Sequence, residues 1–150
     1  MPSSAQPGPQ SRRLWGWLLP LLLLLPLAMT GCGGIGQPPR STLLGALELQ
    51  IQLTQGAIAE ALALDAGGTP EVSRVRVSRQ ESLAIGEGRG MRLVGQFDWR
   101  LPGDPIRVDS PFELYLQRGE KGQSWRLARP RGPVGEEGEQ LWIIDPLPAG

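Results

Sequence analysis

The sequence predicts one small α+β domain, a helix packed on an antiparallel sheet, preceded by a targeting segment. Three observations predict it. The stretch from Leu43 to Leu64 is apolar at helical spacing and ends ahead of Gly67-Gly68. After Pro70 the hydrophobic period changes to two and stays there, in short runs divided by Gly- and Pro-rich breaks. Finally, residues 1–31 read as targeting sequence, which leaves the 119 residues Cys32–Gly150, enough for one core but not for two.

The helix is expected over about 41–65, with Ser41 or Thr42 as N-cap and Gly67-Gly68 as the stop. Leu44, Leu47, Ile51, Ile58 and Leu62 form its apolar stripe, making it amphipathic, and Gly56 weakens its middle. Leu47, Leu49, Ile51 and Leu53 also alternate with polar residues, so a strand followed by a helix is the alternative reading of 46–54.

Four to five strands follow. Val72, Val75 and Val77 interleave with Arg74, Arg76 and Arg79 in a first strand through about Glu81, which Leu83 and Ile85 extend. Gly86-Glu87-Gly88-Arg89-Gly90 reads as a turn. The next strand, Met91–Leu101, sets Met91, Leu93, Phe97, Trp99 and Leu101 on one face and Arg92, Gln96, Asp98 and Arg100 on the other. Gly95 falls on the apolar face, where it marks a bulge or a close contact with the helix. Phe112, Leu114 and Leu116 alternate with Glu113, Tyr115 and Gln117; Glu120–Gln123 turns the chain into Ser124–Ala128; and Leu141–Ile144 closes the domain. A helix across such a meander buries one face of each strand. The order of elements resembles cystatin-like and nuclear-transport-factor-like domains. The layout, with Phe112–Arg118 and Trp125-Arg126-Leu127, also resembles small cyanobacterial proteins that carry no assigned activity.

The first 32 residues carry the strongest functional signal. Arg12-Arg13 precedes an apolar run from Leu14 to Met29, interrupted by Pro20 and Pro26 and short of the roughly 20 residues a spanning helix needs. The run ends in Leu27-Ala28-Met29-Thr30-Gly31-Cys32. This segment resembles the lipobox of bacterial lipoproteins, with Met29 in place of the more usual leucine. The resemblance implies cleavage between Gly31 and Cys32, acylation of Cys32 by chains such as palmitate, and export to the periplasmic or lumenal side of a bacterial membrane. Residues 32–40 would then be a Gly- and Pro-rich tether and 41–150 the domain.

Composition excludes several chemistries. The chain has no histidine and one cysteine, so Ser-His-Asp and Cys-His triads, histidine metal sites and intramolecular disulfides are ruled out. Loss of Arg12 and Arg13 leaves 13 basic residues against the 15 acidic ones, a balance that gives no electrostatic case for nucleic acid. No cofactor and no metal is expected.

The remaining site candidates are weighed against plainer roles. Gly86–Gly90 could cradle a phosphate, but that needs a helix to follow, and a strand pattern follows instead. Arg74, Arg76, Arg79, Arg92, Arg100 and Arg126 form an outward row that could meet an acidic partner, or pair with Asp98 and Glu113 on the same face. Asp98, Asp104, Asp109 and Glu113 are the acids that a histidine-free hydrolase would use, and no spacing singles out a pair. Glu136, Glu137 and Glu139 make an acidic loop. Trp99 and Trp125 fall on the core side, where they pack or line a cup for an apolar ligand. The leading expectation is a non-enzymatic, membrane-anchored envelope module that binds a protein partner or is structural. Trp99, Trp125, Arg92 and Arg100 are its candidate surface, and a small-molecule cup is the alternative.

Overall fold

A computed structural model describes residues 36–133 and 139–148 of the chain. The expected signal segment, the Gly31–Cys32 cleavage site and Glu136 and Glu137 lie outside the described residues. The chain divides into two units between Gly33 and Gly34, and the second unit holds every described element. These elements run α1 (Arg40–Leu62), β1 (Glu71–Ile85), β2 (Gly88–Arg100), β3 (Arg107–Arg118), β4 (Trp125–Arg131) and β5 (Leu141–Pro146). The five strands form one antiparallel meander in the order β1-β2-β3-β4-β5. The α+β class is therefore present, and residues 46–54 are helix.

The helix departs from expectation at both ends and in its pattern. Pro39, not Ser41 or Thr42, is the N-cap, and its carbonyl accepts the Leu43 N–H at 3.2 Å. Its fixed φ, −56°, sets up the first turn without a capping side chain. The helix stops at Ala63, held in the left-handed region, where the Leu64 N–H reaches the Ala59 carbonyl at 2.8 Å. The glycines expected as the stop serve packing instead. A Cβ on Gly67 would lie 2.9 Å from Leu101 Cδ1, and one on Gly68 3.1 Å from Pro102 Cγ. Nor is α1 an amphipathic helix with one stripe. Leu43, Leu47 and Ile51 pack on the core, but so do Leu49 and Leu53, each two residues from Ile51 and so about 160° around the helix from it. At the start of the described residues Pro38 is buried and Arg40 is already helical.

The main core lies between α1 and one face of the sheet. Ala46 and Leu47 meet Val72, Met91, Leu93, Phe97, Phe112, Leu114, Leu116 and Leu127, with Phe97 and Phe112 edge to face at 5.8 Å. The expectation of one buried face per strand holds only in part. Ile85, Tyr115 and Ala128 are buried on the opposite face, covered by Leu83, Trp142 and Ile144, with the Tyr115 and Trp142 rings 5.0 Å apart. Tyr115, expected to point to solvent, is 4% exposed because Trp142 folds onto it from two strands away.

Two irregularities shape the sheet. Gly95 sits opposite a bulge in β1, where an added Cβ would lie 2.0 Å from the Arg76 carbonyl oxygen and 3.0 Å from the Phe112 ring. Its close neighbour is thus the β1 backbone rather than the helix. Secondly, β4 joins β3 only along Tyr115–Arg118, after which the two strands part and β4 continues beside β5 alone. The ladder stops where Pro130, which has no N–H to offer, would come opposite Glu113.

Candidate functional site

The face of the sheet away from α1 carries a ladder of ion pairs. Arg100 holds Glu71 at 2.6 Å, and Arg92 bridges Glu113 at 2.8 Å and Glu81 at 3.1 Å. Arg79 lies 4.0 Å from Glu81, and Arg76 pairs with Asp109. The Arg100 and Arg92 partners sit on paired or diagonal positions of adjacent strands, so the register itself brings those charges together, whereas Arg79 and Glu81 share β1 and Arg76 reaches Asp109 across β2. Arg74, Arg76, Arg92 and Arg100 of the outward row are thus matched by carboxylates within the domain, while among the described residues Arg79 meets only Glu81, which Arg92 already holds. Arg126 is the member without an ion pair among the described residues.

Within the ladder, Arg92, Glu113 and Tyr115 form one cluster. The Tyr115 hydroxyl and the Arg92 Nε both donate to Glu113 Oε1. These bonds hold the Glu113 carboxyl below its ordinary 4.5, the Arg92 contact being the larger cause. Burial, and then the bond to Glu113, raise the Tyr115 hydroxyl above its ordinary 10.0. A carboxylate held ionised in this way is a poor proton donor, the reverse of what a glycosidase acid needs.

Asp98 is the one buried charged side chain among the described residues, at 2% exposure. Its Oδ1 accepts the Asp109 backbone N–H at 2.9 Å, and its Oδ2 lies 3.4 Å from Arg74 Nε. Arg76 reaches it at 3.7 Å while also holding Asp109. Of the four acids weighed as a hydrolase set, the fold brings Asp98 and Asp109 together and fills the space between them with Arg76. Asp104 stands in a separate turn, where its N–H bonds to the Leu101 carbonyl at 3.0 Å. Alternation alone makes Asp98 an outward residue, and nothing in the sequence marks the bulge that encloses it.

The glycine segment Gly86–Gly90 closes a tight β1–β2 hairpin, with Gly86 at φ +57° and Gly88 paired to Ile85. A strand follows it, so no helix N-terminus points at a phosphate there. Among the described residues no group of three or more acids or cysteines could hold a metal ion. Comparison with protein-family models, with curated proteins and with solved structures gives no match.

The candidate surface Trp99, Trp125, Arg92 and Arg100 is not one surface. Arg92 and Arg100 belong to the ladder, whereas Trp99 and Trp125 pack on the helix side. The two tryptophans are themselves far apart. Trp99 pairs with Arg107 at the start of β3 and Trp125 with Arg118 at its end, roughly 35 Å along the strand. Each carries an arginine over its ring, Arg107 at 4.8 Å from Trp99 and Arg118 at 5.5 Å from Trp125. The Trp99 Nε1 also donates to Ser110 Oγ at 3.2 Å.

Trp99 lines a half-open cleft of about 330 Å³ between α1 and β3. Leu47, Ile51, Phe97 and Phe112 make its apolar wall, with Gln50, Thr54, Gln55 and Glu113 at the polar rim. Beside it the outer edge of β3 from Arg107 to Leu114 lacks a strand partner among the described residues. Ile106 and Val108 there are 54% and 62% exposed. An apolar cleft next to an unpaired strand edge is suited to an extended segment, whose backbone can bond to the edge while side chains enter the cleft.

Proposed function

We propose that this chain is a lipid-anchored envelope protein, acylated on Cys32 after cleavage at Gly31, whose domain is a non-enzymatic partner-binding or structural module. The single observation that carries the anchor is the succession Arg12-Arg13, apolar Leu14–Met29, and Leu27-Ala28-Met29-Thr30-Gly31-Cys32. Each buried lipid methylene adds about 0.8 kcal/mol of membrane affinity, so two or three acyl chains hold a protein firmly. No helix among the described residues is long and apolar enough to cross a membrane. The partner is an envelope protein, and the cleft beside Trp99 with the free β3 edge is the surface offered to it. The ion-paired face, with its charges matched within the domain, has little left for an acidic partner.

Intact mass of the protein purified from its own membranes tests the anchor. A species beginning at Cys32 and carrying diacylglycerol and acyl additions, absent from a Cys32→Ala variant, is expected. Retention of residues 1–31, or an unmodified Cys32 thiol, overturns the reading.

The second reading is a cup for an apolar small molecule, in keeping with the cystatin-like or nuclear-transport-factor-like order of elements. The volume of the Trp99 cleft favours it, since drug-sized ligands occupy about 300–1,000 Å³. Its open, polar rim favours a peptide segment more. A fatty acid that shifts Trp99 emission in the wild type but not in an Ile51→Glu variant would reverse the order of the two readings.

A further inference from the structure

We propose that the β1 edge around Val77–Gln80, together with Arg40, is the surface that rests on an anionic bilayer. The inference rests on the anchoring reading and adds an orientation to it. Pro38 is buried, and with Gln37 it lines a groove of about 330 Å³ formed with Leu43, Val77, Ser78, Arg79 and Gln80. The chain therefore leaves the domain at the middle of β1. Six Cα–Cα steps separate Cys32 from Pro38, a reach of at most about 22 Å. A domain of this size has a radius of gyration of about 13 Å, so a lipid on Cys32 keeps the edge next to Pro38 close to the headgroups. The opposite edge, β5, lies four strand spacings away, roughly 19 Å.

The chemistry of the near edge suits that position. Arg79, which lines the groove, and Arg40, two residues after Pro38, are both exposed, and no carboxylate among the described residues lines the groove. The one acid paired with Arg79 among the described residues is Glu81, at the outer limit of ion-pair distance. Val77, which also lines the groove, is 40% exposed, although its register partner Gly95 is buried. Arginines held within a Debye length of an anionic leaflet are attracted to it, and an apolar side chain between them can enter the interface. An edge strand of this length is normally a liability, and a bilayer beside its open side would shield it from other chains.

The test uses the full acylated protein, reconstituted into vesicles of phosphatidylcholine with or without phosphatidylglycerol. Cys32 is the single cysteine, so once it is acylated a Gln80→Cys or Ile143→Cys thiol is the only one open to a spin label. With phosphatidylglycerol present, the Gln80→Cys label is expected to lose accessibility to a water-soluble relaxant several-fold while the Ile143→Cys label keeps it. An added Arg40→Glu/Arg79→Glu pair should restore accessibility at position 80. Equal accessibility at the two positions in protein whose mass shows acylated Cys32 overturns the orientation and leaves the anchor standing. Equal shielding at position 80 on neutral vesicles overturns the electrostatic contact. An unmodified Cys32 overturns the anchor and this inference with it.

Discussion

Arg74 and Asp109 stand in left-handed backbone conformations, φ +48° and +52°, on two strands that do not touch, and both turn toward the same buried carboxylate. That carboxylate is Asp98, on the strand between them. Left-handed backbone is uncommon for residues with a side chain and costs on the order of 1 kcal/mol each. The Asp98 contacts to the Asp109 N–H and to both arginines are what offset that cost here.

Substituting Asp98 should therefore loosen both bulges. Asp98→Ala leaves the Asp109 N–H without its acceptor and is expected to destabilise the domain by about 2 kcal/mol. Asp98→Asn retains an oxygen for that N–H and should cost about half as much. Urea unfolding of the three proteins checks this, and equal losses for the two variants would show that charge, not the hydrogen bond, matters.

Two glycines should respond in opposite directions to one added methyl group. Gly95→Ala drives a Cβ into the Arg76 carbonyl and the Phe112 ring, and a loss of about 3 kcal/mol or failure to fold is expected. Gly56→Ala meets no atom within 4 Å and lies inside α1, so a gain of about 1 kcal/mol is expected. Thermal melts of both variants beside the wild type give the signs directly.

The Arg92–Glu113–Tyr115 cluster sets a pH window. Glu113 has a depressed folded value, so its contribution is present above its ordinary 4.5 and is lost as pH falls through the lower folded value. Tyr115 has a raised folded value, so its contribution is present below its ordinary 10.0 and is lost as pH rises beyond it. Glu113→Gln should remove part of the acid limb of a stability–pH profile, and Tyr115→Phe part of the alkaline limb. Denaturation midpoints measured across pH for the three proteins test the assignment.

Much of the sheet is legible in the sequence, for a physical reason that also marks where legibility ends. Met91 to Trp99 alternates except at Val94-Gly95, because β2 has a strand on each side and a helix across one face. The start of β3 is hidden, since Arg107–Pro111 is polar, holds a proline and contains the left-handed Asp109. Alternation puts Tyr115 on the face away from α1, where it lies, but cannot register that Trp142 arrives from a strand 27 residues later to bury it. It sets Trp99 and Trp125 correctly on the helix side, but which end of the sheet each occupies depends on register, and register is a property of pairs of strands. The glycines after α1 look like a helix stop because Gly ends helices often; here they admit Leu101 and Pro102.

The parting of β3 and β4 makes the meander behave as two leaves. Beyond the short seam of Tyr115–Arg118 with Trp125–Ala128, the β4–β5 hairpin is held to the rest by side-chain packing rather than by a ladder. Opening that leaf would break a short row of backbone bonds and part Tyr115 from Trp142, at a smaller free energy than unfolding the β1–β2–β3 leaf. Amide exchange should thus be faster at Leu127–Arg131 and Ile143–Asp145 than at Met91–Phe97, and its rate should be insensitive to denaturant where that of β2 is steep. A partner lying along the free edge of β3 would close the gap between the leaves, and slower exchange in β4 would report its arrival.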